Sequence, residues 1–134
     1  MEYIIALDQG TSSSRAILYD LDGEIISLEQ EPITMIYPQD GWVEQKPDEI
    51  WESILRVGRQ VIDSAGIEAQ KIRALGIANQ RETTLVWDKI TGKCIYNAIV
   101  WQCKRTSKKC EELILNGYSD TFQSKTGLII DSYF

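Results

Sequence analysis

The sequence predicts an α/β domain: a mixed sheet that begins as a three-stranded antiparallel meander, with helices packed on the sheet. Three observations carry this. Two short apolar runs, 4–7 and 16–19, flank a loop of glycine and hydroxyl residues. The pair Asp22-Gly23, a strong hairpin signal, then turns the chain into a third stretch bearing Ile25, Ile26 and Leu28. Further on, Ile50, Ile54, Val57 and Val61 mark one helical stripe, and the apolar run 72–78 follows it.

Taken in order, residues 3–8 read as a buried strand, 15–20 as a second and 24–31 as a third, which Pro32 stops. Pro38-Gln39-Asp40-Gly41 is a turn. Lys46-Pro47-Asp48-Glu49 sets a proline and two acids in the first turn of a helix over 47–65, with Gly66 as its C′ residue. Trp51, Leu55 and Ile62 widen the stripe of this helix, whose apolar face is expected to cover one side of the sheet. Residues 72–78 read as an interior strand, parallel to the first because a helix precedes it. A strand over 83–87, a turn over 88–93 and an extended piece over 94–101 come next. The spacing then predicts a helix over 105–115 closed by Gly117, and a short helix over 120–125 capped by Ser119 and ended by Thr126-Gly127.

Composition bounds the function. With 134 residues the chain is read as one domain with a core of its own. A net charge of −6 and the lack of any basic run argue against capture of nucleic acid or an acidic membrane. No apolar stretch reaches spanning length, and Met1-Glu2-Tyr3 lacks the charged start of a signal peptide. Cys94, Cys103 and Cys110 are odd in number and show no metal spacing, so reduced thiols in the cytoplasm are expected. Histidine is absent, which removes Ser-His-Asp and Cys-His catalysis and most zinc sites. Chemistry here falls to carboxylates, arginine, hydroxyls, backbone amides or a hard cation.

Two places concentrate such groups. In Asp8-Gln9-Gly10-Thr11-Ser12-Ser13-Ser14-Arg15 a carboxylate enters a loop where glycine allows close approach and hydroxyls and amides can meet an anion. Asp8 suits a hydrated Mg²⁺ beside a polyphosphate. A plain polar hairpin loop explains the same residues, and the Walker lysine signature is missing. The second place is Asn79-Gln80-Arg81-Glu82 at a strand end, where Arg81 offers donors and Glu82 acceptors suited to a polyhydroxyl compound. A solvent-facing Arg–Glu pair is the competing account. Trp101 and Tyr133 offer a flat apolar wall and a hydroxyl, or serve as ordinary core aromatics. Glu44, Asp48, Glu49 and Glu52 read as a solvated helix face, and Cys103 and Cys110 as packing residues.

Ala6-Leu7-Asp8-Gln9-Gly10-Thr11 with Ser12-Ser13-Ser14-Arg15 resembles the first phosphate-binding segment of the FGGY carbohydrate-kinase family. Asn79-Gln80-Arg81-Glu82-Thr83-Thr84, the run from Tyr96 to Gln102, Gly41-Trp42-Val43-Glu44-Gln45 and the stretch from Thr126 to Phe134 are similar to its glycerol-kinase branch in particular. The resemblance covers essentially the whole chain. It implies an actin-like, ribonuclease-H-like ATPase fold and transfer of a phosphoryl group from ATP, with Mg²⁺, to a terminal hydroxyl of glycerol. It further implies that Thr11, Ser12 and Ser13 hold the phosphates, that Arg15 contacts the phosphate tail, and that Asp8 holds Mg²⁺ through water. Arg81, Glu82 and Tyr133 would bond glycerol hydroxyls and Trp101 would pack on its carbons, with Thr11 shared between both ligands and Asp8 and Arg81 also catalytic. Phosphoryl transfer asks for positioned donors and a metal more than for a covalent nucleophile, which suits a chain without histidine.

Family kinases run several times further, so the chain is expected to be an N-terminal portion of a homo-oligomeric enzyme. The base that takes the glycerol proton, the adenine pocket and the second domain would all lie beyond Phe134. By itself the portion is expected to turn over negligibly. A kinase of the same family acting on a sugar, and a non-catalytic module binding nucleotide or a partner, are the competing readings.

Overall fold

A computed structural model describes all 134 residues. The chain divides into two compact units, one of residues 1–35 and 45–80, the other of 36–44 and 81–134.

The first unit is a four-stranded sheet with one helix on it. Strands β1 (Tyr3–Gln9), β2 (Ser13–Asp20) and β3 (Ile25–Pro32) form the expected antiparallel meander, a two-residue strand β4 (Glu44–Gln45) follows, and β5 (Ile72–Asn79) lies parallel to β1, giving the order β3-β2-β1-β5. The β2–β3 loop is longer than a two-residue hairpin. It spans 21–24, and the Asp20 carboxylate accepts the amides of Asp22 and Glu24 while Gly23 takes a left-handed φ of 90°.

Helix α1 (Pro47–Ala65) keeps the boundaries its proline start and Gly66 end predict, Gly66 being left-handed at φ 62°. Its Val57 and Val61 pack with Ile5, Ala16 and Leu18 into the core. Alternation along β2 directs Ser14, Ala16 and Leu18 to the helix and Ser13, Arg15 and Ile17 to the other face. A buried hydroxyl pair, Ser14 Oγ and Ser53 Oγ at 2.7 Å, joins strand to helix. Arg56 makes two hydrogen bonds to the Glu31 carboxylate, Ser64 bonds Glu29, and Glu49 accepts the Thr34 amide. The N-terminal acids of α1 are therefore not a uniformly solvated face.

Strand β5 is parallel to β1 as expected, but it is the edge of the sheet rather than an interior strand. Leu75 and Ile77 remain 54% and 70% exposed. The cause is the placement of α1, which lies over β2, β3 and β1 and makes no comparable contact with β5.

The second unit is mostly irregular. Its elements are β6 (Ala98–Ile99), α2 (Ser107–Leu115) and α3 (Ser119–Thr126). Residues 83–87 form no strand and pair only through the isolated bridges Thr84↔Ile99 and Trp87↔Cys94. Between these, the Asp88 carboxylate gathers the amides of Ile90 and Thr91 and the Thr91 hydroxyl, so the chain curls into a tight turn instead of extending a ladder. Helix α3 starts one residue earlier than its sequence suggests. Ser119 is its first helical residue, not its cap; the cap position is Tyr118, without a side-chain bond. Gly127, left-handed at φ 75°, ends it as expected.

Candidate functional site

In the first unit, β1 hands the chain to a turn at residues 10–12 before β2 begins. The Gly10 amide donates to the Ser13 carbonyl at 2.9 Å, and a Cβ on Gly10 would stand 3.1 Å from that oxygen, so a side chain there would have to push the carbonyl back. Asp8 stands opposite Arg15 in the β1–β2 ladder. Both therefore project from the sheet face turned away from α1, at the end where the turn lies. Asp8 is exposed, whereas Arg15 Nε is buried without a hydrogen-bond partner. An unmet buried donor is costly, and a ligand with anionic oxygens would relieve it. The Ser13 hydroxyl accepts from Gln30 at 2.7 Å and retains its own proton to donate.

Behind the turn lie three glutamines that the sequence did not single out in this role. Gln9 Nε2 donates to the Gly10 carbonyl at 2.8 Å, and fully buried Gln45 donates to the Thr11 carbonyl at 2.6 Å. Gln80 donates to Gln45 Oε1 at 2.8 Å, and its amide to the Gln9 carbonyl at 2.7 Å. Gln80 thus turns inward as a brace, not outward as a ligand-binding amide.

In the second unit, Glu82, Thr84, Trp101, Arg105, Ser132 and Tyr133 line a cavity of about 160 Å³. That is well below the roughly 300–1,000 Å³ of sites for drug-sized ligands, and so scaled to a molecule of few heavy atoms. Glu82 adopts φ 56°, the one non-glycine residue of the chain with positive φ. Such backbone strain persists where the surroundings impose it and clusters at ligand sites. The Tyr133 ring lies 5.0 Å from that of Trp101 at 58°, and the Asp131 carboxylate accepts the Tyr133 amide at 2.8 Å. Arg81 is exposed and lies outside the lining of this cavity.

Glu44 corrects the sequence reading most sharply. It is not on a solvated helix face: it has no exposed surface and accepts hydrogen bonds from Tyr96 Oη, Asn97 Nδ2 and Arg105 Nη2. Burial pushes its carboxyl up, but the bonds from Asn97, Arg105 and Tyr96, with the Arg105 charge, outweigh burial and hold it below the usual range. Arg105 also stacks 3.8 Å from the Trp42 ring centroid and donates to Cys103 Sγ at 2.9 Å. Burial raises the Cys103 thiol, and its hydrogen bonds with Arg105 and Val43 and the Arg105 charge bring it below its ordinary value. Cys103 is thus buried, as its packing role predicts, and also polarised by its neighbour.

Residues 3–134 match the model of the FGGY family of carbohydrate kinases, N-terminal domain. The chain belongs to that family. Glycerol kinase 2 of Thermotoga maritima is 54% identical over 134 residues, and the glycerol kinase of Fusobacterium nucleatum 58% identical over 135 aligned positions. Each alignment takes in 100% of this chain and 27% of the relative, so the chain spans about a quarter of the length of the curated relatives it matches. Among solved structures, Plasmodium falciparum glycerol kinase with ADP superposes at a TM-score of 0.89 with 32% identity, over 100% of this chain and 27% of that one. The xylulose kinase of Rhodospirillum rubrum superposes at 0.87 with 23% identity, over 99% and 27%, a likeness of fold alone. The actin-like, ribonuclease-H-like ATPase architecture expected from the sequence is the fold of this FGGY domain.

Within the FGGY domain, the singled-out residues form two groups. Asp8, Thr11, Ser12, Ser13 and Arg15 gather at one turn of the first unit, and Glu82, Trp101 and Tyr133 line one cavity of the second. The turn fits a polyphosphate through its unmet arginine donor. Around Asp8 there is no cluster of three or more acidic, cysteine or histidine ligands. No helix is long and apolar enough to cross a membrane.

Proposed function

We propose that this chain supplies the N-terminal part of an ATP-dependent glycerol kinase. The observation that carries the reading is the small cavity lined by strained Glu82, Trp101 and Tyr133. Relatives named as glycerol kinases at 54% and 58% identity support it.

In this reading the hydroxyls and amides of Thr11, Ser12 and Ser13 and the guanidinium of Arg15 bind the ATP phosphates. Asp8 would hold Mg²⁺ through water, and the ion would supply charge neutralisation on the transferring group. Glu82 accepts hydrogen bonds from glycerol hydroxyls, Arg81 and Tyr133 add donors, and Trp101 packs on the carbon chain. Thr11 is shared by both ligands in this reading, Arg81 lowers the cost of charge at the transferred group, and Asp8 does so only through the cation it would hold. A terminal glycerol oxygen forms the new P–O bond as the bond to the leaving ADP breaks, and the hydroxyl proton passes to a base. The three free cysteines favour a reducing cytoplasm, and we expect the enzyme to work there as a homo-oligomer.

The test is calorimetric titration of the complete gene product with glycerol, xylulose and gluconate. Glycerol is expected to bind at least about tenfold tighter than either sugar derivative, a difference of about 1.4 kcal/mol. Tighter binding of xylulose or gluconate would overturn the glycerol assignment.

A further inference from the structure

The turn after β1 has its carbonyls claimed from behind. Gly10 O accepts from Gln9 Nε2, Thr11 O from Gln45 Nε2, and Ser12 O from the Ile33 amide at 3.0 Å. All peptide bonds are trans. In a planar trans peptide the N–H points opposite to the C=O of the same unit. Drawing the Gly10 and Thr11 carbonyls toward the body of the unit therefore turns the amides of Thr11 and Ser12 the other way, off the protein body. Successive amides displayed on one side of a turn make an anion-binding concavity.

Of the three donors, Gln45 alone is a side chain reaching across the sequence with no exposed surface. Its carboxamide has one workable orientation. Nε2 faces Thr11 O at 2.6 Å and Met35 Sδ at 3.1 Å, while Oε1 receives Gln80 Nε2 at 2.8 Å. A flipped amide would set oxygen against the Thr11 carbonyl and nitrogen against the Gln80 amine, losing both bonds. Gln80 is itself tied to β1 through its own amide on Gln9 O at 2.7 Å. The chain of bonds thus runs from the end of β5 through Gln45 to the Thr11–Ser12 peptide.

We propose that Gln45, oriented by Gln80, is a positioning residue that fixes the Thr11–Ser12 peptide with its N–H toward the polyphosphate of the nucleotide. The proposal rests on the ATP-site reading above and adds a residue to it. Gln45 touches no ligand and acts only through the peptide it holds.

The test uses the complete gene product with ADP as the probe, and with glycerol as the second ligand. Gln45→Glu keeps shape and the acceptor for Gln80 but cannot donate to Thr11 O. It is expected to weaken ADP about tenfold, the worth of one such bond, while the Kd for glycerol stays within about twofold. Gln80→Leu leaves Thr11 untouched but frees the Gln45 amide to flip, and is expected to weaken ADP in the same direction by a smaller factor. It serves as the readout if Gln45→Glu does not fold. Wild-type ADP binding with unchanged affinity in the folded variants would overturn the positioning role and leave the ATP site standing. Equal loss for ADP and glycerol would also overturn it, marking a purely structural residue. No ADP binding by the wild type would instead overturn the ATP-site reading itself.

Discussion

Glu44, fully buried, receives the guanidinium of Arg105, which in turn lies against Trp42 and reaches Cys103 on the wall of the cavity. Breaking a buried ion pair by removing one charge is costly, because the remaining ion keeps its desolvation without its partner. Glu44→Gln is therefore expected to destabilise the fold by about 3 kcal/mol, read by urea denaturation. The sign of the pH effect follows from the depressed carboxyl. The unfolded chain takes up its proton near the ordinary glutamate value of about 4.3, before the folded one does. The stabilisation is thus complete above that pH and is lost as pH falls through the lower folded value. Glu31, Asp88 and Asp131 are lowered too and share this acid limb. Glu44→Gln should make the limb shallower than in wild type; an unchanged slope would show that Glu44 is not ionised in the fold.

Backbone strain and the proposed glycerol contact oppose each other at Glu82. A left-handed φ of 56° disfavours a side chain but suits glycine. Glu82→Gly is expected to raise stability by about 1 kcal/mol in thermal denaturation while removing the carboxylate proposed to accept glycerol hydroxyls. Glycerol affinity should fall at least about tenfold by calorimetry. A variant both more stable and unimpaired in binding glycerol would remove Glu82 from the site.

Much of the first unit was legible because its signals are local. The stripe Ile50, Ile54, Val57, Val61 and the Pro47 and Gly66 boundaries need no tertiary information, and α1 keeps its predicted limits. The meander followed from two apolar runs and a turn. The exposure of β5 was not legible, since Leu75, Ile77 and Ala78 have the composition of a strand covered on both faces and only the placement of α1 leaves it bare. Glu44 and Gln45 were missed for a related reason. A glutamate and a glutamine beside a helix start look solvated, and their burial depends on Asn97, Arg105, Thr11 and Gln80, distant in sequence. Glu82, Trp101 and Tyr133 stood out by residue type, their joint role came from resemblance, and nothing in their spacing alone would have joined them in one cavity.

Gly58 tests the helix–sheet packing. It lies in the interior of α1 with ordinary helical backbone, and a Cβ there would meet Leu7 Cδ2 at 3.6 Å, an ordinary contact. Glycine costs a helix interior about 0.5–1 kcal/mol relative to alanine. Gly58→Ala should therefore raise stability by about that amount, with a small rise in Tm. A loss would mean that α1 and β1 approach more closely than the 3.6 Å contact allows.

Arg15 holds the sharpest contrast between empty and loaded forms. Its Nε is buried and unmet, so the free protein carries the desolvation of a donor with nothing in return. Methionine keeps the apolar stem without the donor. Arg15→Met is thus expected to leave the ligand-free protein as stable as wild type or more so, by up to about 1–3 kcal/mol. In the presence of ADP the order should reverse, since binding stabilises a fold by an amount that grows with the logarithm of affinity and the variant would lack the charge-assisted phosphate contact proposed for Arg15. Paired melting curves with and without ADP check this. Were Arg15→Met less stable without ADP and equally shifted by it, the guanidinium would be a structural strut of β2 and not part of the phosphate grip.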